Sequence, residues 1–117
     1  MAYFETVIVT RRDLTPSAND ELIKNYEKLL KDNGAEVFYK ENWGLLSLAY
    51  PIKKNKKAYY TMIRIDGPAV AVAELERNFR ISDDVIRYMT VSLNSKDTTV
   101  SSMLKNKKSE ETQEQGE

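Results

Sequence analysis

The sequence predicts an α+β domain in which four strands and two helices follow one another in the order βαββαβ. Three observations support this fold. Apolar and β-branched stretches recur four times, two segments carry apolar residues at helical spacing, and a short polar turn separates the second and third strands. Right-handed crossovers then place strands one and three in the centre of a four-stranded antiparallel sheet. Both helices cover one face of this ferredoxin-like arrangement, and the other face stays open.

The first strand is predicted over residues 3–10, which are rich in β-branched and aromatic side chains. Alternation places Phe4 and Ile8 on one face and Val7 and Val9 on the other. Because both faces are apolar, this segment has the pattern of a central strand.

The two helices are predicted from apolar residues that recur every three or four positions. The first follows Thr15, a suitable N-cap, with Pro16 at the first helical position, and it ends at Gly34. The second is predicted to begin at Gly67-Pro68, and its apolar spacing continues to Phe79.

The second strand, predicted over residues 35–52, has features of an edge strand. Gly44 favours a bulge or a strong local twist, and Pro51 cannot donate to a hydrogen-bond ladder. The third strand is predicted over residues 58–66. Trp43, next to Gly44 in the second strand, is equally compatible with a stacking platform and with packing at the sheet edge.

The fourth strand is predicted over residues 85–93, with Ile86, Tyr88 and Thr90 on one face and Arg87 on the other. With this register, six apolar side chains lie on the open face, and Arg64 and Arg87 edge it. The six are Val7, Val9, Tyr60, Met62, Met89 and Val91. A large exposed apolar patch usually marks a protein interface.

The composition changes after the fourth strand. We therefore divide the chain into a folded domain over residues 1–95 and a charged, mostly disordered tail over residues 96–117. The tail has Val100, Met103 and Leu104 as its only large apolar side chains. So few apolar side chains bury too little surface to offset the ordering entropy of the segment.

The turn between strands two and three is unusually basic, since Lys53, Lys54, Lys56 and Lys57 surround Asn55. Two ammonium groups about 7 Å apart repel by roughly 0.6 kcal/mol in water before salt screening. A turn can be made with fewer like charges, so these four tip lysines suggest an anionic partner. Lysines at strand ends also act as solvated gatekeepers, and the residues alone leave both interpretations open.

The composition argues against catalysis. The chain has 18 basic and 18 acidic residues, no cysteine and no histidine. It therefore lacks a thiolate nucleophile, the usual general base and the commonest metal ligands. Its glycines are isolated, so no phosphate-binding loop is predicted. We predict no cofactor, no metal, no small-molecule substrate and no enzymatic activity. No apolar stretch is long enough to span a membrane, so a cytosolic protein is expected.

One RNA-binding fold shares the βαββαβ order, but its signature is absent. The third strand of an RNA-recognition motif carries stacking aromatics at defined positions. The segment Lys57–Arg64 matches that pattern only at Lys57 and Tyr59. Base stacking on the sheet is therefore disfavoured.

Several segments resemble the bacterial small-subunit ribosomal protein six family. The most specific is Trp43-Gly-Leu-Leu-Ser-Leu-Ala-Tyr-Pro-Ile-Lys-Lys54, and similarity extends from about Tyr3 to Leu104. The resemblance implies a ferredoxin-like structural protein of the small-subunit platform. It further implies binding of small-subunit ribosomal RNA as a heterodimer with small-subunit ribosomal protein eighteen. We expect RNA contacts at Lys53, Lys54, Lys56, Lys57, Arg64 and Arg87, and protein contacts at the six apolar residues of the open face.

Two other classes of function fit the same fold. One is a non-catalytic ligand-sensing module that dimerises through its open sheet, and the other is a small enzyme. The tip lysines favour the ribosomal interpretation over the first, and the absence of catalytic residue types weighs against the second.

Overall fold

A computed structural model describes residues 2–52 and 55–96. The elements are β1 (Ala2–Arg11), α1 (Pro16–Asp32), β2 (Glu36–Ile52), β3 (Asn55–Gly67), α2 (Ala69–Ile81) and β4 (Val85–Leu93). The strands form one sheet in the order β2-β3-β1-β4, and every neighbouring pair is antiparallel. The predicted element order and the central position of the first and third strands are confirmed.

Local hydrogen bonds explain where α1 begins and ends. The Thr15 hydroxyl accepts a hydrogen bond from the Ala18 amide at 3.1 Å, and Pro16 occupies the first turn. After the helix, Gly34 adopts a φ of 85°, a conformation that favours glycine. The second helix differs slightly from its prediction, because Pro68 is its N-cap and the helix begins at Ala69.

The main core lies between the sheet and the two helices. Tyr26 of α1 and Phe79 of α2 meet edge to face, with ring centroids 4.9 Å apart. Ile8 and Ile63 approach them from the two central strands and are fully buried. A buried hydrogen bond of 2.6 Å from Thr10 to Asn19 ties β1 to α1. The helices are therefore fixed to one face of the sheet.

A bulge in β2 places Trp43 against the other face. Gly44 has a φ of 77°, and its amide donates to the Asn42 side chain at 3.0 Å. The pairing register with β3 shifts between these two residues. Trp43 is consequently folded onto the sheet and is 7% exposed, so packing rather than an open stacking platform is its role.

A second bulge corrects the predicted register of β4. Val9 pairs with Arg87, whereas Thr10 pairs with Val85, so Ile86 is an extra residue. Val85 belongs to the main core, while Ile86 packs against the apolar cluster on the opposite face. The prediction that Ile86 shares a face with Tyr88 and Thr90 is therefore wrong.

Candidate functional site

The face of the sheet that carries no helix, here called the open face, has its own apolar cluster. Trp43 and Tyr60 stack nearly parallel, with centroids 6.1 Å apart and an interplanar angle of 14°. The partly buried side chains of Tyr39 and Ile86 pack at the margins. The cluster comprises Val7, Val9, Trp43, Leu46, Ala58, Tyr60 and Met62. It makes the centre of the open face apolar and well packed.

The predicted face assignment of the six apolar residues agrees with the strand register, but their depths differ. Val7, Val9, Tyr60 and Met62 are buried beneath their neighbours in the free chain. Met89 and Val91 remain 40% and 44% exposed. The four buried residues thus form the floor of the face, and the two on β4 are directly available to a partner.

A small cavity of about 70 Å³ opens on this face. Val7 and Val9 form its base, with Trp43 and Met89 on opposite sides. Arg87 lines the same cavity and is exposed, and no carboxylate of the described residues lies within ion-pair distance of it. The predicted placement of Arg87 at the edge of the open face agrees with this position.

Arg64 also lies on the open face, but its surroundings differ from the exposed edge that the sequence suggested. Its side chain is 5% exposed, and its Nε donates to a Glu5 carboxylate oxygen at 3.0 Å. The ring centroid of Tyr39 lies 4.8 Å from the guanidinium carbon. Glu5 on β1 and Tyr39 on β2 hold the buried charge of Arg64 from the two strands that flank β3. In the free chain, Arg64 therefore links β3 to β1 through its ion pair.

The four tip lysines are only partly covered by the described residues. Lys53 and Lys54 lie outside them. Lys56 and Lys57 lie on β3, which begins earlier than predicted, at Asn55. The side chain of Lys57 is exposed, and that of Lys56 falls outside the described side chains.

The end of the sheet at which β1 finishes and β3 begins carries two arginines in succession. Arg11 donates to Asp84 at 2.8 Å and to Asp13 at 2.9 Å. The hydrogen bond with Asp84, helped by the charges of both carboxylates, raises the pKa of Arg11. Arg12 is exposed and has no such partner among the described residues. We call Arg11, Arg12 and Lys57 the basic end.

Sequence reasoning missed Arg12. The Arg11-Arg12 pair directly after the first strand was a usable signal, but its meaning depends on a long-range contact. Asp84 neutralises Arg11 from 73 positions away, and Arg12 is left without an equivalent partner in the described part of the chain.

The opposite end of the open face is acidic. Lys96, just beyond β4, reaches Asp66 of β3 at 3.6 Å and Glu36 of β2 at 4.0 Å. Its ammonium also lies 5.4 Å from the ring centroid of Phe38. The two ends of the sheet therefore differ in charge, with free cations at one end and neutralised carboxylates at the other.

Two further kinds of site, metal clusters and membrane-spanning helices, are both absent from the described residues. They contain no group of three or more metal-ligating side chains placed to hold an ion. Neither helix of this part of the chain has the length and apolarity to cross a bilayer.

Comparison with known proteins identifies the family. The βαββαβ order and the four-stranded antiparallel sheet define a ferredoxin-like domain. The family model described as Ribosomal protein S6 matches residues 3–92. A small ribosomal subunit protein bS6 from Bartonella bacilliformis is 46% identical over 89% of this chain and 76% of its own. One from Hyphomonas neptunium is 53% identical over 78% and 81%, respectively. The chain belongs to the ribosomal protein S6 family.

A solved structure agrees on the fold. The 30S ribosomal protein S6 of Thermotoga maritima matches with a TM-score of 0.75, covering 96% of this chain and 97% of its own at 20% identity. The chain is accordingly a protein of the small ribosomal subunit, structural rather than enzymatic, and its place is the ribosome of the cytoplasm. The predicted family and fold are confirmed.

Proposed function

We propose that this protein binds small-subunit ribosomal RNA in the central domain, or platform, as a heterodimer with small-subunit ribosomal protein eighteen. In this proposal the open face binds the protein partner, and the tip lysines with the basic end bind the RNA. The observation that carries the proposal is the exposure of Met89 and Val91 beside a sealed apolar cluster.

The open face is suited to a protein partner because its apolar surface is already ordered. Burial of apolar area stabilises an association by about 25 cal/mol per Å² before the entropic cost of binding. Met89 and Val91 supply such area on β4, and the cavity beside them accepts a side chain from outside. Trp43 and Tyr60 are held in place by stacking, so little side-chain ordering is required on binding.

The charge distribution supports RNA binding at the basic end. The chain has no net charge, so only a local concentration of cations can attract a polyanion. Arg12 and Lys57 are exposed at the same end of the sheet as the turn that holds the other tip lysines. Asp66 and Glu36 lie at the far end. An RNA backbone is therefore attracted to the basic end rather than to the far end.

A titration of small-subunit ribosomal protein eighteen against the wild-type chain and a Met89→Asp variant tests the protein interface. We expect the variant to stay folded by circular dichroism and to lose at least tenfold in affinity, because a new charge would be desolvated on binding. The Arg77→Gln variant, on α2, serves as the control and is expected to bind normally. Normal binding by Met89→Asp would contradict the interface, and self-association of the wild-type chain through the same residues would favour a homodimer.

A further inference from the structure

Arg12, the first residue after β1, and Lys57 of β3 are exposed cations at the same end of the sheet. The last residue pair of β1 with β3 is Arg11 with Ala58, so Arg12 and Lys57 each lie one residue beyond it. Neither has an ion-pair partner within the described residues. Both cations are therefore available to an anion from outside the chain.

The two carboxylates that form ion pairs at this end both bind Arg11. Asp13 and Asp84 are its partners, and neither is within ion-pair distance of Arg12 or Lys57. Asp84 precedes β4, which lies on the side of β1 away from β3. Arg12 and Lys57 therefore stay outside this ion-pair cluster.

Strand alternation places Lys57 on the side of the sheet that bears the helices. Ala58 packs within the open-face cluster, so the adjacent Lys57 points to the other side. Arg12 begins the connection from β1 to α1, which covers that same side. Lys57 consequently lies across the sheet from Met89 and Val91, and Arg12 lies where the chain leaves the sheet for the helix layer.

We propose that Arg12 and Lys57 form a phosphate-binding pair that holds the ribosomal RNA backbone on the helix-bearing side of the basic end. This inference rests on the proposed RNA binding and adds the side of the sheet on which the RNA lies. A guanidinium donates two parallel hydrogen bonds to one phosphate, and an ammonium supplies a compact charge to the next phosphate. Because the open face stays uncovered by the RNA, the protein partner and the RNA bind at the same time.

The test compares two double variants of the full chain that remove equal charge. Arg12→Gln/Lys57→Gln removes the proposed pair, and Lys28→Gln/Arg77→Gln removes one lysine and one arginine from α1 and α2. Binding to small-subunit ribosomal RNA is measured over a range of salt concentrations, with protein eighteen present. Each lost phosphate contact lowers the slope of log affinity against log salt by about 0.7–0.9. We expect the first variant to lose about 1.4–1.8 units of slope, and the second to match the wild-type chain.

Each outcome bears on the inference. Wild-type protein without salt-dependent RNA affinity would overturn the proposed function, and the phosphate pair with it. Wild-type binding with an unchanged slope in the first variant would overturn the pair alone. Equal losses in both variants would mean that only net charge matters. A loss of affinity for protein eighteen in a titration without RNA would instead assign Arg12 and Lys57 to the protein interface. Circular dichroism confirms that both variants are folded.

Discussion

Arg64 and Arg87 lie on the same face of the sheet, and their neighbours give them different roles. Both were predicted to edge the open face and to contact RNA. Arg64 is held by Glu5 and Tyr39, while Arg87 is exposed beside the cavity. The period-two pattern of a strand assigns a residue to a face, but its depth depends on side chains from other strands. Sequence alone therefore predicted the face of both arginines and the exposure of Arg87, but not the burial of Arg64.

Met62 illustrates the same limit and yields the first prediction. It lies on the open face, yet it is fully buried by the cluster around it. A carboxylate at this position would be desolvated without a partner, so Met62→Asp is expected to lower the free energy of unfolding by at least about 3 kcal/mol. Met89, which pairs with Val7, is exposed, so the free energy of unfolding of Met89→Asp is expected to stay within about 0.5 kcal/mol of wild type. Urea unfolding of both variants checks this, and equal stabilities would contradict the assigned depths.

The pair between Glu5 and Arg64 gives a second prediction at the residue scale. Removal of one partner leaves a buried, uncompensated charge, so Arg64→Met is expected to destabilise the domain by about 3 kcal/mol or more. Glu5→Leu/Arg64→Met removes both charges and is expected to recover most of that loss. Thermal and urea unfolding of the wild-type chain and of both variants measure these changes in stability. A double variant as unstable as Arg64→Met would show that contacts of Arg64 other than the ion pair with Glu5 account for the loss.

At the scale of elements, the β2 bulge at Gly44 was predictable and the bulge in β4 was not. Gly44 itself predicted the β2 bulge, because glycine within a strand often marks a bulge. The extra residue Ile86 has no such signal in the sequence, since its neighbours alternate normally. It arises from the pairing of β4 with β1, which brings Asp84 to Arg11 at the end of the sheet. Local sequence patterns do not predict long-range pairing of this kind.

Gly44 carries the third prediction. Its positive φ places an L side chain in the left-handed region, which costs roughly 1–2 kcal/mol for most residues. The space around it is open, with no heavy atom of another residue near an added Cβ. We expect Gly44→Ala to lower the free energy of unfolding by about 1–2 kcal/mol. Gly44→Asn is expected to lose less, because asparagine tolerates this conformation. Equal losses in denaturant melts would argue against conformational strain as the cause.

At the scale of the whole molecule, charge is distributed unevenly although the total is zero. The basic end and the end near Asp66 are separated by the length of the central strands. Element order and the face of residues away from bulges were predictable because they depend on periodicity. The difference in charge between the two ends of the sheet was not predictable, because it depends on which charges neutralise one another after folding.

The fourth prediction concerns the end of the folded domain. The sequence places the boundary after residue 95, and Lys96 contacts Asp66 and Phe38. Truncation after Lys96 is expected to leave the melting temperature unchanged within about 2 °C. Truncation after Asn94 also removes a partly exposed ion pair, and a loss of about 0.5 kcal/mol corresponds to roughly 2–4 °C. Calorimetry compares the two. A fall of more than about 5 °C on truncation after Lys96 would show that the tail packs on the domain.

Maleimide labelling of single cysteines tests most directly whether the two partners occupy opposite sides of the sheet. The chain has no cysteine of its own, so each introduced thiol reports one position. Val91→Cys reports the open face, Ser17→Cys the helix side near the basic end, and Lys28→Cys the far part of α1. We expect protein eighteen alone to protect position 91, and added small-subunit ribosomal RNA to protect position 17 as well, with position 28 reactive throughout. Protection of position 17 by the protein alone, or of position 91 only once RNA is added, would contradict this arrangement.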